Sequence, residues 1–310
     1  MVMARGDIQW AQPCPAPQEA TSHAPAAFGK PLVQIVSNPA SGGHSPRRLK
    51  QLRDAYVGNG FDVIFSQSSP VTPFELANGV ARVCIAGGDG TVRHVLENHE
   101  MRTSDVAVDI YPAGTINLIA REWGVPSDPD GFVEQSTARP ARRLFPVGLN
   151  DTCFLACASI GPDARAVAGL SVALKRRIGR LAYVVAMMKV LVNWQRPRLE
   201  LLVDRKPVAC EAVFIAKGRF YAGPWSFAPA ARLEDADLHV VALRRARRRD
   251  FAAFFLAMMA GKVDRLKNVQ LAKGREVLIV SDTRQPVQAD GDIATHTPAR
   301  LSVSDHPFVL

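Results

Sequence analysis

Between residues 32 and 124, short β-branched and apolar runs alternate with stretches of helical periodicity, the pattern of a parallel sheet flanked by helices. Residues 32–36, 61–65, 83–86 and 106–111 read as four strands. Ser45 caps a helix with Pro46 at its first position and Leu49, Leu52 and Tyr56 on one face, ended by Gly58 or Gly60. A further helix is expected near 73–80. Gly87-Gly88-Asp89-Gly90-Thr91 opens another, and one from about Thr115 carries Leu118, Ile119 and Trp123 before Gly124 and Pro126. Beyond about residue 144 the texture changes. A long helical segment near 165–193 spaces Val167, Leu170, Leu174, Ile178, Leu181, Val185, Met188 and Val192 at steps of three and four, a stripe that reads as core packing rather than membrane insertion. Strand patterns at 198–203, 212–216, 239–243, 276–280 and 300–303 give a second, mostly-β domain.

Composition narrows the class. The 310 residues are 47% apolar, enough to bury one large core or two modest ones, and this excludes disorder, collagen and coiled coil for the whole chain. The longest apolar stretch, residues 251–260, is well short of the ~20 residues of a membrane-spanning helix. Residues 1–30 carry no continuous apolar secretory core and read as a loose extension. Cys14, Cys84, Cys153, Cys157 and Cys210 are odd in number and form no Cys-x-x-Cys pair, which points to reduced thiols, a cytoplasmic setting and neither zinc site nor disulfide framework.

A net charge of +9 draws the chain to polyanions. It is concentrated in Lys175, Arg176, Arg177 and Arg180 and in Arg244, Arg245, Arg247, Arg248 and Arg249. These clusters are either solvated faces or contacts with anionic lipid headgroups. No helix-turn-helix, RNP or zinc-finger pattern accompanies them, so no nucleic-acid partner is expected. A homodimer is compatible with the sequence.

Two glycine-containing loops follow strands and precede helices, where open α/β sheets gather anionic ligands. Consecutive glycines at 87, 88 and 90 let backbone approach phosphate, and a carboxylate inside such a loop is best read as facing magnesium, or else as a helix cap. Walker A and protein-kinase signatures are absent.

In order after successive strands come Asn38-Pro39-Ala40-Ser41-Gly42, Gly87-Gly88-Asp89-Gly90-Thr91 and Pro112-Ala113-Gly114-Thr115-Ile116-Asn117. Ala158-Ser159-Ile160-Gly161 with Asp163-Ala164, then Ile178-Gly179-Arg180-Leu181-Ala182-Tyr183, Ala228-Pro229-Ala230-Ala231 and Asp290-Gly291-Asp292 continue the series. This set resembles the diacylglycerol kinase catalytic-domain family, which includes bacterial lipid kinases and sphingosine kinases.

The resemblance covers about residues 31–305. It implies an α/β protein of two domains, a doubly wound α/β nucleotide-binding domain (31–145) and a mostly-β sandwich domain for the lipid substrate (146–300), with the active site in the cleft between them. Residues 301–310 form a C-terminal segment returning to the first domain. It implies ATP and Mg2+ as cofactors, with Asn38, Ser41, Gly87, Gly88, Gly90, Thr91, Gly114, Thr115 and Asn117 around the nucleotide. Asp89 would act with magnesium, and Asp292 as the base for the lipid hydroxyl, where the family usually has Glu. Asp is one methylene shorter, and without the resemblance Asp290-Gly291 reads as a hairpin turn.

Two departures stand out. Arg93 and His94 replace the family's Asn-Glu pair and would either meet phosphate or lie on a solvated helix face. The structural magnesium loop, usually Asp-Asp-Gly-Leu-Leu-Asp, reads Glu234-Asp235-Ala236-Asp237-Leu238-His239; Glu234, Asp235 and Asp237 are the candidate ligands, and His239 weakens the site. The sequence therefore points to a lipid kinase transferring the γ-phosphate of ATP to a diacylglycerol-like alcohol, peripherally bound to the inner face of the membrane. The alternatives are an NAD kinase and a catalytically silent regulator.

Overall fold

The structure, a computed structural model, describes residues 29–69, 73–169 and 181–310. The N-terminal extension up to residue 28, Leu170, Leu174 and Ile178 of the apolar stripe, and the basic cluster at 175–180 lie outside them.

The first domain is a parallel sheet in the order β2-β1-β3-β4: β1 (Leu32–Ser37), β2 (Asp62–Gln67), β3 (Val80–Gly87) and β4 (Ala107–Pro112). Helix α1 (Pro46–Gly58) is capped by Ser45, whose side chain accepts from the Arg48 amide, and it buries Leu52, Ala55 and Tyr56. Helices α2 (Asp89–Leu96), α3 (His99–Thr103), α4 (Leu118–Glu122) and α5 (Pro129–Ala138) complete the layer. Val83, Ile85, Val92, Val95, Ile110 and Ile119 form one side of the core, and Val33, Ile35, Tyr56, Tyr111 and Phe132 the other.

The helix expected near 73–80 is absent. Residues 73–77 take no regular structure, and Val80 already opens β3 after the turn at Gly79, whose φ is 74°. Side chains take over its backbone groups: Gln34 Nε2 donates to Glu75 O at 2.8 Å, and its Oε1 accepts from Ala77 N at 3.0 Å. The helix predicted from Thr115 starts instead at Leu118.

Strands β5 (Arg143–Leu144), β6 (Val147–Leu149), β7 (Thr152–Phe154) and β8 (Cys157–Ile160) lead into the second domain, followed by α6 (Pro162–Ala168) and α7 (Leu181–Val192). Then come β9 (Leu199–Val203), β10 (Lys206–Cys210), β11 (Ala212–Ala216), β12 (Leu238–Leu243), α8 (Arg248–Met259), β13 (Val269–Gly274) and β14 (Glu276–Ser281). Strands β15 (Pro286–Ala289), β16 (Asp292–His296), β17 (Ala299–Val303) and β18 (Phe308–Val309) close the chain.

Two six-stranded antiparallel sheets, β10-β9-β14-β17-β6-β7 and β13-β12-β11-β8-β15-β16, face each other across Leu199, Leu201, Val213, Ile215, Val240, Ile279 and Leu301. Strand β9 alternates buried and exposed positions as a sheet with one wet face should. Strand β11 is buried throughout, because Phe254 and Met258 of α8 cover its second face at Phe214. β18 pairs with β5, and Phe308 and Leu310 pack on the first domain's core. Among the described residues no helix is long and apolar enough to cross a membrane.

Candidate active site

Three loops leave the carboxyl edge of the parallel sheet side by side, because the register sets Ser37 opposite Ala86 and Gly87 opposite Pro112. In the first, Asn38 Oδ1 accepts from Ala40 N at 2.9 Å. Ser41 Oγ lies 3.2 Å from Thr91 Oγ1 in the second loop, and Gly43 N donates to Ala113 O in the third at 3.1 Å. The second and third touch backbone to backbone: a methyl added to Gly114 would lie 2.3 Å from Gly88 Cα. Asn117, in the left-handed region at φ 55°, accepts from Gly114 N at 2.8 Å and donates to Gly114 O at 3.2 Å, so its amide clasps the third loop.

Asp89 joins the two glycine loops. Its carboxylate accepts from Leu118 N at 2.9 Å and Ile119 N at 3.2 Å, thereby capping α4 rather than its own helix. Burial pushes this carboxyl above its usual range, with the α4 amides opposing the shift. Gly88, the N-cap of α2, has no side chain to cap that helix, which leaves its N-terminus open to an anion.

The second domain meets this edge through the β15–β16 hairpin. Asp290 and Gly291 have φ of 48° and 92°, as a tight two-residue hairpin turn demands. Asp290 carries more than a turn: its carboxylate accepts from Leu155 N, Ala156 N and Cys157 N at 2.8, 2.9 and 3.1 Å. Burial raises its pKa to about 6 against those amides. The hairpin delivers Asp292 to the cleft, with its side chain 62% exposed and Oδ2 3.7 Å from an Arg93 nitrogen. A methyl on Gly90 would lie 3.8 Å from the same oxygen, so Asp292 sits against the loop that carries Asp89.

Arg93 and His94 therefore do not lie on a solvated face. Arg93 spans the cleft, reaching Asp292 and, at 3.5 Å, Ala289 O. His94 buries an Nε2 that has no hydrogen-bond partner.

The second magnesium site requires correction. Glu234 accepts from Trp123 Nε1 at 2.8 Å, and Asp237 pairs with Lys273 Nζ at 2.9 Å. The cation at this loop is a lysine: Lys217, 0% exposed, donates from Nζ to Leu233 O at 2.6 Å and Arg232 O at 3.2 Å. Burial lowers its pKa to about 8, while Asp235, Glu122, Glu234 and Asp237 pull it upward. Lys217, held by the carbonyls just before the loop, supplies a positive charge beside these carboxylates, and among the described residues no group of three or more His, Cys, Asp or Glu could hold a metal ion. His239 shares this environment, its pKa lowered first by burial and next by Lys273, and its Nε2 is buried without a partner.

The sequence reading also missed Glu122 and the setting of Asp163. Glu122 ties α4 to the second domain by accepting from Leu233 N and Arg219 N at 2.8 and 2.6 Å. Asp163 accepts from Ser159 Oγ and Tyr221 OH, both at 2.5 Å. For Asp163 the signal was its place in the Ser159–Ala164 motif; for Glu122 and Lys217 there was none, since each acts across the domain boundary.

This geometry has relatives. Residues 33–145 match the family model described as the diacylglycerol kinase catalytic domain, and residues 156–309 match the YegS C-terminal NAD kinase beta sandwich-like domain. The chain belongs to the diacylglycerol kinase catalytic-domain family. Like other members it is a phosphotransferase acting on an alcohol. It is 27% identical over 236 residues to a Chromohalobacter salexigens protein named "Probable lipid kinase YegS-like", covering 73% of this chain and 74% of that one. It is 23% identical to a diacylglycerol kinase of Staphylococcus haemolyticus over 71% of this chain and 67% of the relative. A solved structure titled as a diacylglycerol kinase from Bacillus anthracis superposes with a TM-score of 0.70 at 18% identity, covering 90% of this chain and 96% of that chain; this is a likeness of fold.

Proposed function

We propose that this kinase transfers the γ-phosphoryl group of ATP to a hydroxyl of a diacylglycerol-like lipid in the cleft between the glycine loops and the β15–β16 hairpin. The observation that carries the reading is Asp292, an exposed carboxylate brought by the second domain to the open N-terminus of α2.

Phosphoryl transfer asks a protein mainly for alignment and charge compensation. The backbone of Gly88 and Gly90 offers close approach to phosphate, and the α2 N-terminus a positive dipole end. Asn38, Ser41, Thr91, Thr115 and Asn117 border the same edge and would hold the rest of the nucleotide. Asp292 takes the proton from the lipid hydroxyl, and Arg93 fixes a positive charge beside it. Asp89 keeps lone pairs beyond its two α4 amide bonds and would hold a magnesium ion arriving on the triphosphate, since such an ion takes only one or two protein carboxylates. When bound, it neutralises charge between the phosphates. Glu234, Asp235 and Asp237 take no part in this.

The test is incubation of the purified protein with γ-labelled ATP, magnesium and a total lipid extract, with NAD in a parallel reaction. Label in a lipid product supports the proposal. Label in a soluble dinucleotide alone assigns the protein to NAD phosphorylation, and nucleotide binding with no labelled product overturns catalysis.

A further inference from the structure

The C-terminal end of α7 meets the N-terminal end of α8, where Arg248 of α8 donates to Val192 O of α7, and just beyond them Trp194 Nε1 donates to Ala246 O at 2.8 Å. Their inner faces join one apolar cluster: Phe251, Phe254 and Met258 are buried in it, and Met187 and Leu191 pack on it. The outer faces are largely apolar too, with Lys189 the charged residue exposed on α7. Val185, Met188 and Val192 of α7 are exposed, as are Phe255, Leu256 and Met259 of α8, with Leu256 62% and Met188 60% accessible. The remaining exposed positions of α8 between Ala252 and Met259 are alanines, so this stretch carries no charge on its outer surface. The core-packing role expected for the stripe therefore fails on α7: Val185, Met188 and Val192 are exposed, and the residues that pack inward, Met187 and Leu191, lie off the stripe.

Contiguous exposed apolar surface marks a site of association, and its surroundings specify the partner. Arg244, Arg245, Arg247, Arg248 and Arg249 are exposed at one end of α8, and Lys262 and Arg265 at the other. An apolar face rimmed by cations is complementary to a leaflet bearing anionic headgroups. A second copy of the chain fits poorly, because a two-fold contact through this face would bring one basic rim against another. The cluster beneath the face also reaches Leu118 and Cys157, whose amides hold Asp89 and Asp290.

We infer that the outer face of α7 and α8 is the surface by which the protein docks on an anionic lipid leaflet, with Met188, Val192, Phe255, Leu256 and Met259 entering the headgroup boundary. Its purpose rests on the lipid-kinase reading above, whereas its test does not use catalysis. The full-length protein is floated with phosphatidylcholine vesicles, with and without phosphatidylserine, at low and high salt. Binding is expected with phosphatidylserine and to weaken as salt rises. Leu256→Asp and Met188→Asp should each lower partitioning tenfold or more, and Arg244→Ser and Arg249→Ser about fivefold each at low salt only. Thermal melts check folding, with Leu256→Ser as a milder substitute. Wild-type partitioning by folded Leu256→Asp overturns the proposal, as does a salt-insensitive interaction or a dimer that Leu256→Asp dissociates. Partitioning that follows these variants without phosphorylation of any lipid upholds the docking face and removes the kinase reading instead.

Discussion

Two acidic residues separated by one glycine do different work. Asp290 spends its carboxylate on three backbone amides and fixes the hairpin, while Asp292 projects into the cleft with its oxygens accessible. Asp292→Asn should leave the fold and ATP affinity intact and lower lipid phosphorylation at least 100-fold, checked by single-turnover kinetics beside nucleotide titration. Asp290 should show in stability. Its pKa of about 6 in the folded chain exceeds the usual carboxylate value of about 3.9, so the folded state holds the proton more tightly. That contribution is complete below about pH 4 and is lost as pH rises through 6, roughly 3 kcal/mol across the window. Denaturant unfolding of wild type and Asp290→Asn between pH 4 and 7 should show a difference that shrinks with rising pH; a pH-independent difference would refute the assignment.

At the level of elements, the strand–loop–helix units of the first domain place the glycine loops at one edge of the sheet, and the contact between Gly88 and Gly114 locks two of them together. Gly114→Ala would drive its methyl into the Gly88 backbone, which cannot rotate away, and against the Asn117 amide. It should weaken ATP binding more than tenfold and lower the melting temperature, as measured by calorimetry; unchanged affinity would mean that the loops do not form the phosphate cradle. The failed helix at 73–80 belongs to this scale as well. Its apolar spacing was compatible with a helix, but the side chains of Gln34 and Glu100 supply partners for the backbone at Glu75, Leu76 and Ala77 from elsewhere in the chain.

Across the whole molecule, the domains are joined by polar groups that each satisfy the other's backbone: Glu122 with Leu233 and Arg219, Glu97 with Cys153 N at 3.1 Å, and Arg93 with the β15–β16 hairpin. Lys217 stands at this boundary among Glu122, Glu234, Asp235 and Asp237. Lys217→Met would leave two carbonyls unsatisfied and four carboxylates without their central cation, a loss of roughly 3–5 kcal/mol. Chelation with EDTA should leave the melting temperature of the wild-type protein unchanged. A marked destabilisation by EDTA, restored by magnesium, would show that the loop needs a metal after all.

The sequence alone determined what depends on short-range order. Periodicity located the four parallel strands, the Ser45-capped helix and five strands of the sandwich, and glycine spacing marked the phosphate-facing loops. The ordered motifs carried the family, and Asp290-Gly291 carried its turn. What only the tertiary structure decided depends on groups far apart in the chain. Asp89 caps a helix that begins 29 residues later, Arg93 reaches a hairpin nearly two hundred residues away, and Lys217 supplies the charge that the motif at 234–239 had assigned to a metal. An apolar stripe likewise shows that a helix has a greasy side, but only the packed domain shows which of its apolar residues are covered, because burial is set by the neighbours that arrive and not by the stripe itself.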